Sequence, residues 1–144
     1  MNLDSYHKII SQLPNSVTLI AVSKGQSIDK ILKLYSEGQR HFGENFEQEL
    51  THKKENLPED IKWHFLGNMQ TNTLKRITSS SYLIQSVSRT KEQFEEIAQL
   101  YNDLKSKDEK IATLSIGMSS DYNLAIQSGS NMIRLGTVIF GKRK

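Results

Sequence analysis

Short apolar runs alternate along this chain with longer stretches whose apolar residues recur at helical spacing. Val17–Val22 is a partly β-branched apolar run, the pattern of a buried strand. Ser27 opens a helical stretch with Ile28, Ile31, Leu32 and Tyr35 expected on one face, and Gly38 stands where a left-handed cap ends it. A short strand around His41–Gly43 precedes a polar helix from Phe46 to Glu55, closed off near Pro58. Ile61–Leu66 predicts a third strand, followed by a weaker helix over Thr71–Ile77, and Tyr82–Val87 a fourth strand. Thr90 with Gln93 three residues on reads as a capping box, ahead of Phe94, Ile97, Ala98, Tyr101 and Leu104 at helical spacing. Ile111–Ile116 is the fifth strand. Ser119 or Ser120 is expected to cap a helix carrying Leu124, Ala125 and Ile126, which stops at Gly129. Met132–Leu135 is the sixth strand.

Strict strand–helix alternation argues for a parallel sheet with right-handed crossovers, and so for an α/β fold. Ligands of such folds sit beyond the carboxyl ends of the strands. The 144 residues make one domain, short of the roughly 200–250 of a complete eight-stranded α/β barrel. Charge adds little: 19 Lys and Arg face 16 Asp and Glu, dispersed except for Lys142-Arg143-Lys144. Without a basic face carrying base readers, no nucleic-acid partner is expected. No apolar run approaches the roughly 20 residues that span a bilayer, and the first residues lack a signal-peptide pattern. The absence of cysteine excludes disulfides and thiolate chemistry, so a cytoplasmic protein is expected.

The residues that follow the strands carry the chemistry. Lys24 follows the first strand. It reads either as a lysine with its stem packed at the sheet edge or as an amine poised for an aldehyde. Asn45 follows the second, as a helix cap or as a donor to a ligand oxygen. His64 on the third strand has no second histidine at ligand spacing, and no metal site is expected. After the fifth, Ser119 and Ser120 bring hydroxyls to a helix start, where anions are favoured. After the sixth, Gly136 permits close backbone approach and Thr137 adds a hydroxyl. Arg134 inside an apolar strand demands a partner, either an acidic side chain or a ring nitrogen.

In this order the residues resemble a known family. Ala21–Lys24, His41–Asn45, Trp63–Gln70, Leu114–Asp121 and Arg134–Gly141 are similar to motifs of the pyridoxal phosphate homeostasis proteins, which look like the N-terminal barrel of alanine racemases. The resemblance runs from about Val17 to Arg143. It implies one domain over residues 1–144 that binds pyridoxal 5′-phosphate (PLP). Lys24 matches the Schiff-base lysine and Arg134 the arginine facing the pyridine nitrogen. Ser119, Ser120, Gly136 and Thr137 match the phosphate-holding positions, and Asn45 a position lining the cofactor. An arginine keeps its proton, which leaves the ring a poorer electron sink and weakens carbanion chemistry. The family role is cofactor homeostasis, with PLP-dependent apoenzymes as the implied recipients.

One departure is large. Family members resemble eight-stranded barrels, whereas six strands are legible here, and two strand–helix units are missing after Ser88. The expected fold is an incomplete TIM-like (β/α) barrel of about six parallel strands, whose open edges invite a second chain. Three other functions compete. A racemase-like enzyme needs acid–base groups on both cofactor faces, and the second comes from a domain not seen here. A relic or interaction module would have lost the cofactor with its wall. A nucleotide-binding domain would show a glycine-rich phosphate loop, and none follows any strand.

Overall fold

Burial decides which apolar runs become strands. In β1 (Thr18–Val22), Leu19, Ile20 and Ala21 are buried, as a strand covered on both faces requires. The computed structural model describes residues 1–66, 91–109 and 111–141, and the backbone of 83–85. The expected helix at Thr71–Ile77, the Thr90 cap, the side chains of the fourth strand and the basic tail lie outside the described residues. Two compact units emerge, one from the described parts of Met1–Pro14, Leu19–Asn68 and Leu135–Lys144, the other from those of Asn15–Thr18 and Met69–Arg134.

In the first unit, β1, β2 (His41–Glu44) and β3 (Lys62–Phe65) are parallel neighbours with β2 in the middle. Ala21 pairs with Phe42 and Val22 with Gly43. On the other side Gly43 pairs with His64 and Glu44 with Phe65. Helix α2 (Ile28–Ser36) runs between β1 and β2, and α3 (Glu47–Asn56) between β2 and β3. Ser27 precedes α2 as expected, but the buried face is Ile31 and Leu34, with Leu32 exposed. Gly38 takes the expected left-handed conformation (φ 96°) just beyond the end of α2.

Two elements of this unit escape the alternating pattern. Helix α1 (Leu3–Gln12) is capped by Asn2, whose side chain accepts from the Ser5 amide at 3.0 Å, and it buries Tyr6 and Ile9. It packs on the one-turn helix α6 (Thr137–Phe140), and the Asn2 amide donates to the Ile139 carbonyl at 2.7 Å. The Gln39 amide ties the unit together. It accepts from the Tyr6 hydroxyl at 3.2 Å and donates to the carbonyls of Leu19 and His41 at 2.8 and 2.6 Å.

The second unit repeats the scheme with β4 (Leu83–Gln85), β5 (Thr113–Ser115) and β6 (Met132–Leu135), all parallel with β5 between the others. Helix α4 (Lys91–Lys107) joins β4 to β5, and α5 (Tyr122–Gln127) joins β5 to β6. Phe94 and Tyr101 of α4, Leu114 and Ile116 around β5, and Ala125 of α5 form one buried cluster. Helix α5 begins later than the serines suggested. Asp121 holds the cap position, and its Oδ1 accepts from the Met118 amide at 2.7 Å, so Ser119 and Ser120 lie in the turn before the helix. No helix among the described residues is long and apolar enough to cross a membrane.

Candidate functional site

Parallel register sets which post-strand residues stand side by side. Val22 pairs with Gly43, so Lys24 and Asn45, each two residues further on, leave neighbouring strands at the same level. The Ser23 amide extends that ladder by donating to the Gly43 carbonyl at 3.0 Å. Lys24 itself is half-buried in a turn, which the Gln26 amide closes by donating to the Ser23 carbonyl at 2.9 Å.

Gly136 reaches the same end of β1. A Cβ there would lie 3.3 Å from the Val22 carbonyl oxygen and 3.4 Å from its Cβ, tight enough to force the neighbour aside. Thr137 follows, exposed, as the first residue of α6. Lys24, Asn45, Gly136 and Thr137 therefore all belong to one compact unit.

Ser119, Ser120 and Arg134 belong to the other. Ser115 pairs with Met132, and the Arg134 amide donates to the Gly117 carbonyl at 3.1 Å, which carries the pairing up to the turn that holds both serines. Ser119 is half-buried and Ser120 exposed. Gly117 is left-handed (φ 99°) at the start of that turn, and a Cβ would stand 2.7 Å from the Ala125 Cβ. Arg134 is half-buried. Desolvation pulls its guanidinium below its ordinary value, and the Asp121 charge opposes that shift. An acidic group thus acts on Arg134 from within its own unit.

The sequence reading missed the groups beneath Lys24. Glu44, the last residue of β2, is fully buried. Its Oε1 accepts from the Ser23 hydroxyl at 2.5 Å and from Lys53 Nζ at 2.8 Å. Lys53, on α3, is 3% exposed and also donates to the Ser23 carbonyl at 2.8 Å and to Glu49 Oε1 at 2.6 Å. Glu49 Oε1 in turn accepts from the Gly25 amide at 2.6 Å. Burial raises the Glu44 carboxyl, and hydrogen bonds from Lys53 and Ser23 oppose the rise. Burial pushes Glu49 up as well, but hydrogen bonds from Lys53 and the Gly25 amide outweigh it and hold the group below its ordinary value. The only advance signal was the spacing of Glu49 and Lys53 one helical turn apart, which reads equally as a solvated pair.

His64 has a neighbour the sequence did not announce. Its Nε2 lies 2.9 Å from His41 Nδ1 across β2 and β3, with the rings stacked. Among the described residues no group of three or more His, Asp or Glu side chains could hold a metal ion.

The alanine racemase N-terminal domain family model matches residues 80–144. A pyridoxal phosphate homeostasis protein of Schizosaccharomyces pombe is 27% identical over 216 residues, covering 98% of this chain and 91% of that protein. That alignment is longer than the 144 residues here, so the relative carries internal sequence with no counterpart in this chain. PipY of Synechococcus elongatus, solved without PLP, matches with a TM-score of 0.82 at 26% identity over 96% of this chain and 99% of that one. Its PLP-bound form matches with a TM-score of 0.77 at 27% identity, again over 96% and 99%. The fold is a parallel α/β part-barrel of the alanine racemase N-terminal type.

Proposed function

From its kinship with the pyridoxal phosphate homeostasis proteins, we propose that this chain binds PLP as a single domain and serves intracellular cofactor homeostasis without turnover. The observation that carries the reading is the convergence at the end of β1. An amine at Lys24 and an amide at Asn45 leave register-matched strands, and Gly136 keeps the approach beside Val22 free of a side chain. Bound PLP supplies an aldehyde for an amine and a phosphate dianion. The residues fit both demands.

Lys24 holds the aldehyde carbon as a Schiff base. Ser119, Ser120, Gly136 and Thr137 hold the phosphate through hydroxyls and main-chain amides, a donor set suited to an anion. Arg134 faces the ring nitrogen without giving up its proton. Asn45 lines the ring. The relatives are named for homeostasis rather than for a reaction, which supports a role without turnover. The cytoplasm is the proposed location, and PLP-dependent apoenzymes are the proposed recipients.

The test is a visible spectrum of the purified chain with PLP, before and after borohydride, with the modified residue mapped. Imine absorbance lost on reduction, and a pyridoxyl adduct at Lys24, are expected. No absorbance, or absorbance unchanged in Lys24→Ala, overturns the reading. The internal sequence missing relative to the yeast protein favours a second reading, a module that no longer holds PLP. A ligand that binds only the folded state raises the melting temperature, so no shift at saturating PLP selects that second reading.

A further inference from the structure

We propose that Lys53 and Glu49 of α3 are positioning residues that clamp the backbone on both sides of Lys24 and so hold its amine ready for an aldehyde. The inference rests on the PLP-binding reading above and deepens it.

The clamp has two jaws. On the amino side of Lys24, the Ser23 carbonyl accepts from Lys53 Nζ at 2.8 Å and the Ser23 hydroxyl donates to Glu44 Oε1 at 2.5 Å. On the carboxyl side, the Gly25 amide donates to Glu49 Oε1 at 2.6 Å. Lys53 joins the jaws by donating to both carboxylates. The residues flanking Lys24 are thus held from one helix by charged groups, and charge-assisted hydrogen bonds are the stronger kind. Burying Lys53 and Glu44 is costly, and packed apolar residues would serve stability as well or better. What apolar residues could not do is grip the Ser23 carbonyl and the Gly25 amide at once.

Positioning acts on the covalent step. The neutral Lys24 amine adds to the aldehyde carbon, and loss of one water leaves the C=N bond. Fixing the amine beside the carbon favours this step over the same reaction with a freely moving lysine. It contributes nothing toward a ligand with the same ring and phosphate but no aldehyde.

The experiment titrates the full chain with PLP and, separately, with 4-deoxypyridoxine 5′-phosphate, which has a methyl group in place of the aldehyde. Wild type should bind PLP more tightly than the analogue. In Lys53→Met and in Glu49→Ala, PLP affinity should fall about tenfold while analogue affinity stays within about twofold. Glu49→Gln should keep most of the PLP affinity, because its amide oxygen still accepts from Gly25. If Lys53→Met fails to fold, the two Glu49 variants decide. Equal losses for both ligands would mean a merely structural role and overturn the proposal, as would no loss for either. A wild type without preference for PLP, or Lys24→Ala binding PLP as wild type does, would overturn the parent reading and this one together. Preserved preference in the α3 variants would overturn this one alone.

Discussion

His41 Nδ1 and His64 Nε2 stand 2.9 Å apart, one imidazole donating to the other across two parallel strands. The contact needs at least one neutral ring. His64 is pushed down from 6.5 to about 4, first by burial, then by the His41 and Lys62 charges, and His41 is lowered as well. In the unfolded chain His64 takes its proton near 6.5, so between 6.5 and about 4 the unfolded state binds more protons.

Stability should therefore fall as pH drops through that window, with His64 accounting for up to about 3 kcal/mol by its bottom. Urea unfolding at stepped pH checks this. His64→Gln should flatten the slope between pH 6.5 and 4. An unchanged slope would show that the pair titrates as it does in the unfolded chain.

Lys53→Met leaves Glu44 buried without its cation, and breaking such a pair costs about 3–5 kcal/mol near neutral pH. The sign of the pH dependence follows from burial. A carboxyl raised above 4.5 on folding is most favourable when protonated, and that advantage fades as pH climbs through its folded value. Lys53 opposes the rise, so its removal lifts Glu44 further. The deficit of Lys53→Met against wild type should be small near pH 4.5 and grow toward pH 8. Adding Glu44→Gln should recover much of the loss at pH 8. Denaturant midpoints of wild type and the two variants at both pH values are the measurement.

Gly117→Ala should be among the most damaging small substitutions in the second unit. The left-handed backbone costs a non-glycine residue roughly 1–2 kcal/mol, and crowding in a packed core roughly 1–3 more. The new Cβ would meet Ala125 Cβ at 2.7 Å and the Tyr122 backbone at 3.1 Å, neither of which can swing away. A loss of about 2–4 kcal/mol in unfolding free energy is expected. A loss under 1 kcal/mol would mean that the turn before α5 yields readily.

Ser115 gives the opposite forecast. Its hydroxyl is fully buried in β5 with no hydrogen-bond partner among the described residues. Desolvating an unmatched hydroxyl is unfavourable, so Ser115→Ala should be neutral or stabilising by up to about 1 kcal/mol. Thermal melts of the two proteins compare them directly, and a clear drop would reveal a partner for the hydroxyl.

The strands were legible because burial on both faces leaves a dense apolar run, as at Leu19, Ile20 and Ala21. The face of α2 was legible only in part. Leu32 and Leu34 are both apolar, and spacing alone does not say which points inward. Helix α1 was overlooked because its buried stripe is only Tyr6 and Ile9. The post-strand residues could be picked out because ligands of parallel α/β folds sit beyond the carboxyl ends of the strands. Glu44, Glu49 and Lys53 could not, since a charged residue at a strand end or on a polar helix looks solvated until the packing between strand and helix is seen. The His41–His64 contact depends on the register of two strands, and register is not written in either strand alone.

The residues ahead of β6 have a consequence of their own. The Ser130 hydroxyl lies within 2.8–3.1 Å of the carbonyls of Leu114, Ile116 and Met132, while Asn131 accepts from the Leu114 amide at 2.8 Å and donates to the Ala112 carbonyl at 2.9 Å. Two side chains thus do what another stretch of strand backbone would otherwise do. A stave of three residues can keep its place because a hydroxyl and an amide serve as its missing rungs, and altering either would let that stave slide.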